Sequence, residues 1–287
     1  MTRLVLRAYE AGASRFQAMV GQASASRRVL PEFLILGAQR AGTATLYYTL
    51  CRHPSVLPAR RKEIHFFDVR HRRGLRWYRG HFPTAAQMQS VRRATGTALT
   101  GEASPYYLFH PAVPARVQTV LPDVRLVALL RDPVDRAYSH YQWEVGKGRE
   151  HLTFEEALAA EPARLAGEEQ HLLKDDDYVS DTHRHQSYLA RGLYLQQLEN
   201  WWRQVPRGRL LVIESEEFFS TPGAVLERVE QFLGLPPWHP VDGFVRRNAG
   251  HYAGLDTGLR RRLEDYFAPH TAALETALGM RFSWGRR

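Results

Sequence analysis

The sequence predicts an α/β protein in which a central parallel sheet is flanked by helices in three layers. Three apolar runs have the character of buried strands, and a helical segment follows each. The strands are Phe33–Leu36, Val124–Leu130 and Leu210–Glu214, and the helices are Thr43–Arg52, Val134–Val145 and Pro222–Leu233. Strands that are apolar on both faces are typical of parallel sheets covered by helices, and the strand–helix alternation indicates the same class.

Length and composition narrow the possibilities further. The 287 residues suit one large domain, which we expect over 31–287, preceded by an amphipathic helix and a polar linker over 1–30. The single Cys51 allows no disulfide within the chain, and we expect no transmembrane segment because no apolar run is long enough. The net charge is +9, but no known nucleic-acid-binding pattern accompanies it, so we predict no nucleic-acid partner.

The first strand ends in a Gly-rich turn that leads directly into the first helix. Gly37 and Gly42 allow the backbone to turn tightly and to approach a ligand closely. Thr43 and Thr45 supply hydroxyls at a helix N-terminus, where unpaired N–H groups and the helix dipole favour an anion. Arg40 adds a permanent positive charge. The turn predicts a phosphate site, although an ordinary strand-to-helix turn has the same general form.

The position of the cation distinguishes two kinds of phosphate site. A Walker-type loop carries Lys directly after its last Gly, whereas here Arg40 precedes Gly42 and no Lys follows. A nucleotide triphosphate hydrolase or nucleotide kinase is therefore disfavoured. A P-loop-like fold that binds a different phosphate ligand remains, with the kinase as the alternative enzyme class.

The second informative segment runs from Lys62 to Asp68. Its polar residues Glu63 and His65 alternate with apolar ones, so in an extended segment the two share a face. A carboxylate beside an imidazole can act as a base with a proton or charge partner. An ion pair on a short surface strand is the equally good structural alternative.

The third segment joins the second buried strand to its helix. Asp132 has the position of an N-cap and Pro133 that of the first helical residue. Arg131 lies at the carboxyl end of the strand, where ligands bind in open α/β sheets, and Ser139 lies two turns into the helix. An arginine and a hydroxyl can hold a phosphate monoester. The alternative is a structural ion pair between Arg131 and Asp135.

The remaining chain carries weaker signals. We expect a helix over Thr153–Ala160 within the polar stretch 146–187, and two C-terminal helices over Leu255–Phe267 and Thr271–Leu278. The acidic run Asp175–Asp177 has the form of a metal-binding triplet. We interpret it as a solvated loop, because no buried strand flanks it.

These three segments, in this order, resemble the sulfotransferases that use 3′-phosphoadenosine 5′-phosphosulfate (PAPS), most closely the heparan-sulfate-type branch. The turn resembles the loop for the 5′-phosphosulfate, Glu63–Asp68 the catalytic strand, and Val127–His140 the 3′-phosphate site. Gly101–Tyr107, Arg191–Tyr194 and Asn248–Tyr252 extend the resemblance, which covers about Pro31 to Trp284. A chance match of three motifs in order is implausible.

The resemblance implies direct transfer of a sulfuryl group from PAPS to an acceptor, with no covalent enzyme intermediate and no required metal. Glu63 would be the general base that deprotonates the acceptor, and His65 would assist it. Asp68 would orient the acceptor and its neighbours. Arg40 would stabilise charge on the bridging oxygen as it leaves, an electrostatic role of the kind that supplies much of such catalysis.

The resemblance also assigns a donor site. Its residues are Arg40, Ala41, Gly42, Thr43, Ala44 and Thr45 at the 5′-phosphosulfate, Arg131 and Ser139 at the 3′-phosphate, and Arg247, Gly250 and His251 in a loop that closes over the donor. The 3′-phosphate contacts would distinguish this donor from ordinary nucleotides.

Departures from the family bear on the acceptor and the location. Arg40 and Ala103 stand where the family usually has Lys, and Ala103 weakens the case for a polyanionic, heparan-like acceptor. We expect the acceptor group to be a hydroxyl of a carbohydrate or small metabolite, with an amine as the second choice. The paired cysteines of the animal enzymes are missing, which favours a bacterial relative in the cytoplasm.

Two questions remain open at this point. Five aromatic residues are candidates for lining an acceptor cleft, but packing in the core explains each of them equally well; they are Trp77, Tyr78, Tyr106, Tyr107 and Tyr194. The alternative to an enzyme is a non-catalytic basic protein that binds nucleic acid or other anionic polymers. It predicts strongly salt-dependent binding and no need for Glu63.

Overall fold

Five parallel strands form a single sheet in the computed structural model, which describes residues 21–240, 243–245 and 253–285. The strands are β1 (Phe33–Gly37), β2 (Val56–Pro58), β3 (Leu99–Ala103), β4 (Arg125–Leu130) and β5 (Leu210–Glu214). Their order across the sheet is β2-β3-β1-β4-β5. The predicted α/β class with a parallel sheet is confirmed.

The described helices cover both faces of the sheet. They are α1 (Thr43–Leu50), α2 (Gly74–Arg79), α3 (Ala85–Thr95), α4 (Val113–Val120), α5 (Pro133–Gly146), α6 (Phe154–Leu165), α7 (Glu168–Lys174), α8 (Asp181–His185), α9 (Tyr194–Trp202), α10 (Ser215–Ser220), α11 (Pro222–Leu233) and α12 (Thr257–Leu278). The three strand-to-helix units predicted from the sequence are all present. Among the described helices, none combines the length and the apolar character that crossing a lipid bilayer requires.

The central strand β1 is buried along its whole length, because helices cover both of its faces. It pairs with β3 on one side and β4 on the other, with Phe33 opposite both Gly101 and Arg125. Chain crossovers therefore leave β1 in both directions across the sheet. In open α/β sheets, the crevice at the carboxyl end of such a strand is where ligands bind.

The C-terminal region differs from the sequence prediction. One continuous helix, α12, replaces the two helices expected there, and Pro269 lies inside it. Proline removes one backbone N–H and crowds the preceding turn, which favours an interruption. Phe267 and Leu274 are both buried, one on each side of the proline. Packing of this helix against the domain outweighs the local cost.

The polar stretch 146–187 is also more helical than expected. It holds α6, α7 and α8, where a single helix and a loop were predicted. Thr153 caps α6 in a reciprocal capping box with Glu156. The carboxylate of Glu161, near the end of α6, accepts three backbone N–H bonds from the chain at 188–190. This buried acceptor holds the stretch against the domain.

The residues just before β1 contact the domain closely. Ala25 is buried, and the Val29 N–H donates to the Pro83 carbonyl over 3.1 Å. The Arg28 guanidinium donates to the Phe82 carbonyl over 2.5 Å. The described part of the expected N-terminal helix and linker is therefore packed, while residues 1–20 lie outside the described residues.

Candidate active site

The Gly-rich turn connects the carboxyl end of β1 to α1. The Ala38 N–H donates to the Leu129 carbonyl over 2.6 Å, which ties the start of the turn to β4. Gly42 precedes α1 with φ +94°, and a Cβ there would lie 2.8 Å from the Phe219 ring. Only glycine adopts this conformation without a steric cost. The turn thus brings the N-terminus of α1 to the carboxyl edge of the sheet.

The third predicted segment lies beside this turn. Asp132 caps α5 by accepting N–H bonds from Val134 and Asp135, as its position in the sequence predicts. The Arg131 guanidinium donates to the Arg40 carbonyl over 3.1 Å. The hydroxyl of Tyr194 donates to the Arg131 carbonyl over 2.8 Å. Arg131 is therefore fixed against the Gly-rich turn.

Arg40 and Ser139 meet directly. The Arg40 Nε donates to the Ser139 Oγ over 3.0 Å, although 99 residues separate the two in sequence. Ser139 is buried. The ion pair considered for Arg131 and Asp135 is not the one formed, because Asp135 pairs with Arg260 at 2.6 Å. Arg40, Arg131 and Ser139 form the first set of site residues that the structure brings together.

The Lys62–Asp68 segment is not the extended strand that the alternation predicted. Glu63 and His65 both have left-handed backbone conformations, with φ of 61° and 58°. The Glu63 N–H donates to the Ala103 carbonyl over 3.0 Å, and the His65 N–H donates to the Ser104 Oγ over 3.1 Å. These contacts with the carboxyl end of β3 outweigh the usual preference of non-glycine residues for negative φ.

Four side chains of this segment form a line of alternating charge. The Asp68 carboxylate contacts His65 Nδ1 at 2.6 Å, and His65 Nε2 lies 3.7 Å from a Glu63 oxygen. The other Glu63 oxygen pairs with the Lys62 ammonium. Asp68, His65 and Lys62 are largely buried, whereas the Glu63 side chain is 46% exposed. Glu63 and His65 therefore do meet, although not on one face of a strand.

The line controls the protonation of its members. Burial opposes ionisation of Glu63, but His65 and Lys62 outweigh it and lower the pKa of Glu63 to about 2. Burial also opposes the charged form of His65, yet the Asp68 carboxylate outweighs it and raises the pKa of His65. The pKa of Asp68 is lowered despite complete burial, chiefly by the charge of His65. The arrangement favours an ionised Glu63 beside a protonated His65.

Beneath the segment lies a buried carboxyl group that the motif analysis missed. Glu102 on β3 accepts hydrogen bonds from the hydroxyls of Tyr78 (2.8 Å), Tyr107 (3.0 Å) and Ser104 (2.9 Å). Burial raises the pKa of Glu102. The Tyr107 hydroxyl lies 2.8 Å from the Phe66 N–H. This network supports the segment from below.

The aromatic residues considered for an acceptor cleft are part of the core. All five are at most 9% exposed, namely Trp77, Tyr78, Tyr106, Tyr107 and Tyr194. Tyr78 stacks on Phe66, with ring centroids 4.4 Å apart. Of the two explanations that the sequence left open, core packing is the one observed.

Basic side chains lie around the Lys62–Asp68 segment. The Arg70 guanidinium donates to the Ile64 carbonyl over 2.7 Å. Burial lowers the pKa of Arg70, and the positive charges of Arg61 and Arg184 lower it further. Arg184 also opposes protonation of His65. These arginines were not identified as site residues, because isolated basic residues in a sequence most often lie on solvated faces.

A buried arginine links the Gly-rich turn to the neighbouring loop. Arg191 donates to the side-chain oxygen of Gln39, one residue before Arg40, and to the carbonyls of His183 and Arg184. Its guanidinium lies 4.9 Å from the Tyr106 ring centroid. The sequence drew attention to the Arg191 motif, but not to this link.

Other predicted residues lie elsewhere. Asp176 pairs with the buried Arg116 and Asp177 pairs with the exposed Arg72, so two members of the acidic run form ion pairs. Within the described residues, no group of three His, Cys, Asp or Glu side chains is arranged to hold a metal ion. Arg247, Gly250 and His251 lie outside the described residues. Ala41, Thr43, Ala44 and Thr45 are buried where the turn leads into α1.

Comparison with known proteins identifies the family. The sequence model of the sulfotransferase domain matches residues 30–248, about three quarters of the chain. The chain belongs to the sulfotransferase domain family. Members of this family use PAPS as donor, and the predicted PAPS-dependent transferase of the heparan-sulfate-type branch is confirmed.

Individual relatives agree with this result. Heparan sulfate glucosamine 3-O-sulfotransferase 3B1 of Mus musculus is 30% identical over 91% of this sulfotransferase. Bifunctional heparan sulfate N-deacetylase/N-sulfotransferase 2 of Homo sapiens is 27% identical over 87% of it. The chain spans 66% of the first relative and 29% of the second.

A solved structure agrees in fold. The crystal structure of a sulfotransferase from Alicyclobacillus acidocaldarius superposes with a TM-score of 0.68 at 29% identity. The match covers 90% of this sulfotransferase and all of that chain. The P-loop-like fold expected from the resemblance is confirmed.

Proposed function

We propose that this sulfotransferase transfers the sulfuryl group of PAPS directly to a hydroxyl of a carbohydrate or small-metabolite acceptor, with Glu63 as general base. The observation that carries the proposal is the Lys62–Glu63–His65–Asp68 line, anchored to the carboxyl end of β3. The neighbouring strands β1 and β4 end at the same edge and carry Arg40 and Arg131.

The residues at the ends of β1 and β4 fit a donor with two phosphate groups. The N–H groups in the first turn of α1, which begins at Thr43, suit the 5′-phosphosulfate. Arg131 and the buried hydroxyl of Ser139 suit the 3′-phosphate, since an arginine fork and a hydroxyl both bind phosphate oxygens. Arg247, Gly250 and His251 stay predictions for the loop that covers the donor.

The proposed step balances around the acceptor oxygen. Glu63 takes the hydroxyl proton as the acceptor oxygen forms a bond to sulfur. The bond between sulfur and the bridging oxygen of the 5′-phosphate breaks, and 3′-phosphoadenosine 5′-phosphate (PAP) leaves with the electron pair. Cations beside the developing charge lower the barrier, which fits a site rich in arginine.

The charged line explains how Glu63 can perform this role. The low pKa of Glu63 makes the free carboxylate a weak base in water, but it keeps the group ionised. Its exposed side chain is accessible to an acceptor, and orientation compensates for basicity when the proton moves only as the new bond forms. His65, held by Asp68, supplies positive charge next to the transferring group.

The charges around the segment favour an anionic acceptor. The positive charges of Arg61 and Arg184 lower the pKa of Arg70, and that of Arg184 also opposes protonation of His65. A carboxylated or sulfated sugar would neutralise them. The names of the two relatives given above refer to heparan sulfate, an anionic glycan. The absence of Lys at Ala103 argues against a heparan chain itself, so we propose a smaller anionic glycan or metabolite.

The test incubates the protein with sulfur-labelled PAPS and a panel of hydroxyl and amine acceptors, with and without EDTA. We expect transfer to an anionic hydroxyl acceptor that persists in EDTA and falls at least about 100-fold in Glu63→Gln. Glu155→Gln, at an exposed surface ion pair, is the matched control. Normal transfer by Glu63→Gln would show that another group is the base.

The same assay separates the alternatives. Transfer of phosphate from labelled ATP, with none of sulfate, would identify a nucleotide kinase. Salt-dependent binding of nucleic acid by wild type and Glu63→Gln alike, with no transfer, would indicate a non-catalytic anion-binding protein. We also propose a cytoplasmic location, which fractionation of the source cells tests directly.

A further inference from the structure

An exposed tryptophan lies beside the Gly-rich turn. Trp143 on α5 follows Ser139 by four residues, so the two side chains lie on the same face of the helix. The Arg40 guanidinium carbon lies 5.0 Å from the centre of the Trp143 ring, and the Lys147 ammonium lies 4.7 Å from it. Trp143 is 39% exposed.

Arg40 is restrained by three different contacts. Arg131 donates to its carbonyl over 3.1 Å, and its own Nε donates to Ser139 over 3.0 Å. Its guanidinium carbon lies over the Trp143 ring, within cation–π distance. The two contacts of the guanidinium hold it against α5, beside the hydroxyl assigned to the 3′-phosphate.

We propose that Trp143 is a positioning residue that holds the Arg40 guanidinium beside Ser139, so that Arg40 recognises the 3′-phosphate of the donor. The inference rests on the proposed function. It extends the role of Arg40 beyond the leaving oxygen, and it gives the 3′-phosphate two arginines, Arg40 and Arg131, in place of one.

The chemistry of arginine makes this arrangement possible. A planar guanidinium group can stack on an aromatic ring through its face while its edge donates to a hydroxyl and a phosphate. A lysine ammonium is a compact point charge that offers no such face and edge. The arginine at position 40, where the family usually has lysine, and the tryptophan one helical turn after Ser139 therefore form a matched pair in this chain.

The test measures the binding of PAP and of adenosine 5′-phosphate, which differ only in the 3′-phosphate. The affinity ratio of the two ligands is determined by calorimetry for wild type, Arg40→Ala, Trp143→Ala, Trp143→Phe and the Arg40→Ala/Trp143→Ala double variant. Trp202→Ala is the control, because Trp202 forms the same kind of pair with Arg207, with 4.1 Å between guanidinium carbon and ring centre, before β5 at the opposite edge of the sheet.

The wild type should prefer PAP. Arg40→Ala should reduce this preference about tenfold or more, since it removes a charge-assisted contact. Trp143→Ala should reduce it about two- to fivefold, the range expected for an exposed cation–π pair, and Trp143→Phe should restore most of it. In the double variant, loss of Trp143 should add nothing to the loss of Arg40, because the tryptophan acts only through the arginine.

Each other result contradicts a definite part of the argument. An unchanged preference in Trp143→Ala, or independent effects in the double variant, overturns the positioning role while the donor assignment stands. An unchanged preference in Arg40→Ala would mean that Arg40 does not recognise the 3′-phosphate and acts only at the leaving oxygen. A wild type that binds PAP and adenosine 5′-phosphate equally well rejects the 3′-phosphate site, and the proposed donor with it.

Discussion

The Gly-rich turn and the Lys62–Asp68 segment reach the same edge of the sheet, but different contacts hold them. The turn is fixed by backbone: Gly37 is in register with Ala128, and the Ala38 N–H donates to the Leu129 carbonyl. The segment is fixed largely by side chains of residues that follow β3. Its His65 and Phe66 N–H groups find the hydroxyls of Ser104 and Tyr107.

The turn therefore depends on the shape of the backbone, and the Lys62–Asp68 segment depends on charge. The turn needs few specific side chains to keep its form, because strand pairing and a helix start impose it. The segment depends on buried ionised groups, whose mutual attraction must offset their desolvation. Substitutions that alter backbone shape should therefore act mainly on the Gly-rich turn, where we propose that the donor binds. Changes of pH and of charge should act mainly on the Lys62–Asp68 segment, where we propose that the acceptor binds.

The largest expected effect is that of Gly42→Ala in the turn. A Cβ here must adopt φ +94° and lie 2.8 Å from the Phe219 ring. The left-handed conformation costs about 1–2 kcal/mol, and crowding of a packed site costs about 1–3 kcal/mol. We expect the free energy of unfolding to fall by about 3 kcal/mol in urea denaturation, with weaker PAP binding.

Gly146→Ala is the control for this variant. Gly146 ends α5, and a Cβ there would meet open space. Alanine favours helix over glycine, so this change should leave stability equal or slightly increased. Similar losses in both variants would mean that the backbone of the turn is not the constraint we describe.

Asp68→Asn tests the acceptor side. The variant keeps the shape of the side chain but removes the charge that His65 faces, so we expect about 2 kcal/mol less stability near pH 5.5. The lowered pKa of Asp68 stabilises the fold above pH 3.8, its ordinary value. The raised pKa of His65 stabilises the fold below 6.5 and loses this effect as the pH rises through the folded-state value.

The pH dependence follows from these signs. The stability gap between wild type and Asp68→Asn should be widest between about pH 4 and 6.5, and it should narrow under more acidic or more alkaline conditions. Urea denaturation across this range measures it. Asp123→Asn, at an exposed ion pair with Arg209, should show little change at any pH. A gap independent of pH would indicate a purely steric effect of the substitution.

The two regions also differ in how far the sequence predicts them. The strand-to-helix units follow from local signals, such as the N-cap Asp132 before Pro133, and the structure has them nearly as predicted. The left-handed Glu63 carries no such signal, and His65 carries only a weak one, because histidine adopts positive φ more often than most residues but still rarely. Their conformation depends on partners about 40 residues away in sequence, the Ala103 carbonyl for Glu63 and the Ser104 hydroxyl for His65.

The sequence also does not show which side chains of the site contact one another. Arg40 and Ser139 were each identified as site residues, but their contact spans 99 residues and arises only when β1 and β4 pair. Lys62 lies within the Lys62–Asp68 segment, but no role is predicted for it, because the sequence does not indicate which neighbour a lysine side chain contacts. Buried Glu102 was overlooked for the same reason.

The smallest expected effect is that of Lys62→Met on the protonation of Glu63. His65 and Lys62 together lower the pKa of Glu63 to about 2, so removal of the lysine charge should raise it. The Glu63 side chain is 46% exposed, so solvent screens part of this charge effect and the rise in pKa should be less than about one unit. Carboxyl carbon NMR during a pH titration measures this, with Glu63→Gln to assign the resonance. Lys62→Arg should leave the pKa low, because it keeps the charge. An unchanged pKa in Lys62→Met would mean that His65 alone controls Glu63, and the acceptor side would then depend on one charged neighbour in place of two.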